Sequence, residues 1–166
     1  MAMVDQSYCL WMCKYNRWMN QKLYKACRGL PEGIANKNLG AYFESIIHTL
    51  NHLYIVDQLW LSRFANQPEP VADIGDIVCS DLDSLQALRE KLDIHAEVFF
   101  STCDDDWFEG DLEFTSQADA RTYVVPKALS LMHFFNHQTH HRGQLSTLLS
   151  QQGIDIGVTD LPRMDS

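Results

Sequence analysis

The chain has 166 residues, 13 Lys and Arg against 22 Asp and Glu, and 46% apolar residues. That length suits one domain, residues 1–166, around one continuous core. A net charge of −9 argues against a nucleic-acid binder with a broad basic surface, because neutralising phosphates needs clustered Lys and Arg. The longest apolar run, residues 8–13, is far shorter than a membrane span, and no basic-then-apolar leader opens the chain. Five cysteines, an odd number with no Cys-x-x-Cys spacing, suggest unpaired thiols in a reducing compartment, so a cytoplasmic protein is expected.

Four helical segments are expected. The first covers about residues 5–28, where Tyr8, Trp11, Met12, Tyr15, Trp18, Met19 and Leu23 recur at three and four. Pro31 prevents its continuation. The segment is basic (Lys14, Arg17, Lys22, Lys25, Arg28), whereas residues 69–119 hold fifteen acidic side chains and only Arg89 and Lys91. An acidic solvated face lying near the basic helix is the plainer reading; a basic wall attracting an anionic ligand is the sharper one. Cys9 and Cys13 share a helix face in an apolar stretch and read as buried, inert thiols.

The second segment covers about residues 39–64 with a stripe of Ile46, Ile47, Leu50, Leu53, Val56, Leu59, Trp60 and Phe64. The third starts near Asp83, which has capping-box spacing to Gln86, and carries Leu85, Leu88, Leu92, His95, Ala96 and Phe99. Residues 112–125 can form a short β-hairpin. The fourth opens at Pro126, a residue suited to a first helical turn, and ends near Gln151 with Gly153 beyond. Four amphipathic helices of this length make an all-α four-helix bundle, with links long enough for crossovers.

Seven histidines form 21 pairs, of which chance would place about 0.25 at a separation of four; three occur, His48/His52, His133/His137 and His137/His141. A four-residue step puts two imidazoles on one helix side, as a helix that gives two ligands to one metal does. Phe134, His137, His141, Gln144 and Leu148 follow one line, so His137 and His141 point inward. His52 lies in line with Val56 and Leu59, and His48 lies between that line and the next; spacing does not choose between them. Three imidazoles leave a coordination position open, as catalytic sites do. The competing reading is core histidines satisfied by hydrogen bonds. A di-iron carboxylate bundle is excluded, because none of the seven glutamates has His three residues later. Arg142 is a candidate partner for Asp57 across the bundle.

The stretches Asn51-His52-Leu-Tyr-Ile-Val-Asp57-Gln-Leu-Trp60-Leu-Ser-Arg-Phe64 and Asn136-His137-Gln-Thr-His140-His141-Arg142-Gly143-Gln144 resemble the two signatures of the DinB-like (YfiT-like) metalloenzyme family. Residues 15–20 and 160–164 resemble its flanking pieces. The resemblance implies an up-up-down-down bundle, often a homodimer, with one divalent metal ion held by three side chains. Carried over position by position, these are His52, His137 and His141. Separately from the resemblance, Gln144 or Asn136 is a candidate outer residue that orients them or the substrate. Zn or Ni is the ion expected to be observed. In related members the metal assists a low-molecular-weight thiol in transfer or isomerisation. The leading expectation is therefore a metal-dependent enzyme of thiol chemistry on a small electrophile, with no nucleic-acid or membrane partner. Its alternative is a metal-binding bundle without turnover, a sensor or scaffold.

Overall fold

The computed structural model describes residues 3–164. Three of its four long helices begin at a side chain that accepts a free first-turn amide. Asp5 caps α1 (Gln6–Cys27) through Tyr8 N at 2.8 Å, Ser45 caps α2 (Ile46–Phe64) through His48 N at 3.1 Å, and Asp81 caps α3 (Leu82–Thr102) through Ser84 N at 2.8 Å. Each such cap is worth about 1 kcal/mol. The fourth, α4 (Lys127–Gln151), grows out of a hairpin: β1 (Asp111–Thr115) pairs antiparallel with β2 (Thr122–Pro126), and Lys127 N donates to Gly110 O at 3.0 Å. Gly153, at φ 79°, closes α4 in the left-handed conformation that glycine tolerates best.

Two helix starts differ from the expected ones. Residues 39–45 are a tight turn, not the first turns of α2. Leu39 N donates to Glu44 O at 2.7 Å, and Glu44 itself sits at φ 60°, uncommon for a residue with a Cβ. Asp81, not Asp83, caps α3; Asp83 lies in the first turn and pairs with Arg28 at 2.7 Å.

The contacts fix the helix directions. Arg17–Glu97 and Arg28–Asp83 run α1 antiparallel to α3, while Trp60–His133 and His52–His141 run α2 antiparallel to α4. Asp57–Arg89 and Phe64–Phe100 make α2 and α3 parallel; Tyr8–Phe135 and Tyr15–Arg142 make α1 and α4 parallel. The four-helix bundle with its hairpin stands, but its directions are up-down-down-up instead of up-up-down-down. Only the link of residues 65–81 travels the length of the bundle. The long span of residues 103–126 folds on itself as the hairpin and returns at the same end.

The core has two apolar halves. Cys9, Cys13, Trp60, Phe64, Phe100, Phe134 and Phe135 fill one; Leu23, Ile46, Leu50, Leu85, Leu145 and Leu148 fill the other. A buried polar belt lies between them. Arg89 bridges Asp57 at 2.7 Å and Asp93 at 2.8 Å, Asn20 Nδ2 donates to both Asp93 oxygens at 3.0 Å, and Arg142 donates to Asn16 Oδ1 and to Thr139. Asp57 is thus the partner of Arg89, not of Arg142, because the parallel packing of α3 brings Arg89 to it first. Burial pushes the Cys9 thiol up to about 12 and raises Cys13 as well, as inert core thiols require. Among the described residues, no helix is long and apolar enough to cross a membrane.

Candidate metal centre

The antiparallel pair α2 and α4 brings His52, His137 and His141 together. One ring nitrogen of each lies within 4.8 Å of the others, and the group is one that could hold a metal ion. His52 and His141 are buried and His137 is partly so. His52 Nδ1 donates to Ile74 O at 2.7 Å, because a carbonyl can only accept; its Nε2 lone pair is thereby left free. His141 Nδ1 donates to Gln144 Oε1 at 2.8 Å, which frees its Nε2 in the same way. His52 Nε2 lies 3.2 Å from His137 Nε2.

Those partners suit a shared cation. Two imidazoles ligating one tetrahedral ion at about 2.0–2.1 Å hold their nitrogens roughly 3.3 Å apart, close to the observed His52–His137 separation. A plain hydrogen bond between the two rings is the competing explanation. Both arrangements leave His137 Nδ1 buried without a partner, as a lone pair beside the hydrogen bond and as an N–H when Nε2 ligates. The donor set, three neutral imidazoles, suits Zn, Ni, Cu or Fe.

The electrostatics keep the rings neutral. Burial, followed by the neighbouring His141, His52, His133 and His140, pushes His137 down to about 3. Burial likewise lowers His141 to about 4, against an opposing contribution from Gln144, and lowers His52. All three are in the ligand form at neutral pH.

The remaining candidates separate clearly. Gln144 touches His141 and, through Nε2, the exposed His140 at 3.2 Å. Asn136 is not brought into the cluster; it is exposed and lines a groove between α1 and α4 with Tyr8, Met12 and Met132. One residue along a helix turns the side chain by about 100°, which carries Asn136 off the His137 face. His48 points to Gly75 O at 2.8 Å, and His133 packs on Trp60 with centroids 5.1 Å apart. The basic residues Arg17 and Arg28 face acidic α3, so the sharper reading of the basic segment finds no support.

Sequence reasoning missed Phe43. Its ring stacks on His52 at 4.0 Å with planes 24° apart and lies 5.7 Å from His141, forming a wall of the cluster. It sits in the tight turn of residues 39–45, where no helical spacing signals it.

Comparison with known proteins bears on this arrangement. The family model described as "DinB family" matches residues 3–166. The chain belongs to the DinB family. Protein DinB of Bacillus subtilis (strain 168) is 26% identical over 155 residues, covering 89% of this chain and 87% of that one. Among solved structures, YfiT from Bacillus subtilis, described as "a probable metal-dependent hydrolase with an unusual four-helix bundle topology", superposes with a TM-score of 0.65 at 14% identity. The match covers 92% of this DinB-family chain and 91% of YfiT, and at that identity it establishes a shared fold.

Proposed function

We propose that this chain is a metal-dependent enzyme acting on a small molecule, with one divalent cation held by His52, His137 and His141. The observation that carries this reading is the 3.2 Å approach of two imidazole nitrogens, one of whose lone pairs is freed by the Ile74 carbonyl. When bound, a cation on three neutral ligands supplies Lewis acidity and lowers the pKa of a coordinated nucleophile. Phe43 and the neighbouring imidazoles keep that position partly shielded from water. Ile74 O and Gln144 hold two of the rings in their ligating tautomers.

In this reading the nucleophile is small and comes from solution. Cys9 and Cys13 are buried in the apolar core with raised pKa values, so neither offers a thiolate. Water is the nucleophile that the hydrolase description of YfiT brings; a low-molecular-weight thiol is the one that the family resemblance brings. Untagged protein should carry about one metal ion per chain by elemental analysis. Turnover of activated esters, amides and electrophiles, each with and without a thiol, then separates hydrolysis from thiol transfer. His141→Ala should lose both metal and turnover, and turnover by metal-free protein would end the proposal. A bound metal with no turnover across the panel would leave the non-catalytic alternative.

A further inference from the structure

The loop of residues 73–79 lies against one face of α2 and is gripped at three points. His52 Nδ1 donates to Ile74 O at 2.7 Å, and His48 Nε2 lies 2.8 Å from Gly75 O. Asn51 makes the third and densest attachment. Its Oδ1 accepts from Val78 N at 2.9 Å and Cys79 N at 3.0 Å, and its Nδ2 donates to Cys79 O and Ile47 O, both at 2.8 Å. Two donors and two lone pairs are the whole capacity of a carboxamide. Asn51 uses all of them at 0% exposure.

We infer that Asn51 is a positioning residue for the metal centre, acting through the loop on His52. It pins Val78 and Cys79, and so holds the Ile74 carbonyl where the His52 Nδ1–H needs an acceptor. Residues 75–78 are otherwise solvent-exposed, and within the loop Asp73 and Asp76 bond only each other. Ile74 and Cys79 also pack their side chains on the core, and Asn51 is the main polar restraint on the loop besides the imidazoles. If the carbonyl drifts, the proton of a neutral His52 moves to Nε2, the nitrogen that faces His137, and a protonated nitrogen cannot ligate. No shorter polar side chain reaches both amides, and an aliphatic one strands them.

This role rests on the metal reading above, and its test separates the two. Histidine tautomers are read by ¹⁵N NMR on metal-free protein, and affinity is read by titration with cobalt(II). Wild type should show His52 protonated on Nδ1. Asn51→Ala should show a mixture with the Nε2–H form and bind cobalt roughly ten- to a hundredfold more weakly. Asn51→Asp, which sets a second oxygen against the Cys79 and Ile47 carbonyls in place of a donor, should not restore the tautomer or the affinity. Leu23→Ala, a buried deletion on α1 that touches none of the loop's hydrogen bonds, should lose stability with tautomer and affinity unmoved. Should Asn51→Ala fail to fold, Asn51→Ser carries the same expectation, since its hydroxyl cannot span Val78 and Cys79. An unchanged tautomer and unchanged affinity in the folded Asn51 variant would overturn this role alone, as would an equal change in Leu23→Ala. Wild type that binds no cobalt would overturn the metal reading and this role with it.

Discussion

His137 differs from the other two imidazoles in having no partner for its outer nitrogen. A buried, unsatisfied ring nitrogen costs about 1–3 kcal/mol, and its proximity to four other histidines resists protonation. The consequence is a pH dependence of the metal-free fold. The ordinary histidine value is 6.5, whereas folded His137 and His141 are lowered to about 3 and about 4. Between those limits the unfolded chain binds more protons than the folded one, so acid favours unfolding. The stability of the metal-free protein should be full above pH 6.5 and decline as pH falls toward 4 and then 3. Urea midpoints measured across that window check this, and His137→Gln should flatten the slope. Gln144 carries a separate expectation. Gln144→Leu removes the acceptor for His141 Nδ1–H and should weaken metal binding roughly ten- to a hundredfold, measured by competition with a chromophoric chelator. An unchanged affinity would remove Gln144 from the site.

Each helix of the bundle has an apolar stripe legible at spacings of three and four, and that stripe predicts its existence and its buried face. Its ends are less legible. Leu39, Ala41 and Phe43 sit in a stretch that composition alone allows to be helical, and only the turn geometry around Gly40 and Glu44 excludes it. The same turn hid Phe43. His137 and His141 could be read from spacing because both lie on the core line of α4; His52 and His48 share a side of α2, and the family resemblance had to choose. The belt of Asp57, Arg89 and Asp93 was invisible because its partners come from helices whose directions the sequence leaves open. It yields its own prediction. Arg89→Met strands two buried carboxylates and should destabilise the protein by about 3–5 kcal/mol, seen as a lower urea midpoint. Arg89→Lys should not rescue it, since a single ammonium lacks the fork that spans Asp57 and Asp93. Rescue by lysine would show that charge, not bidentate geometry, is what the belt requires.

At the scale of the whole molecule, the three histidines join two helices that the chain connects only through long detours. Between the end of α2 and the start of α4 run the crossover link, all of α3 and the hairpin. A cation shared by His52 on α2 and by His137 and His141 on α4, as proposed, would close that path and would bind only the folded form. Linkage then requires metal to stabilise the fold by RT ln(1 + [L]/Kd), about 2.7 kcal/mol at a hundredfold excess over Kd. For a domain of this size each kcal/mol moves the melting temperature by about 2–4 °C, so zinc or nickel at that excess should raise Tm by roughly 5–10 °C. The rise should disappear in His52→Ala, which removes the α2 half of the link, and in His137→Ala, which removes part of the α4 half. His95→Ala, which alters a histidine on α3 outside the cluster, should keep the rise. Differential scanning fluorimetry of wild type and the three variants reads all of this at once. An equal rise in wild type and in His52→Ala would mean that metal binds elsewhere and that α2 and α4 are held by packing alone.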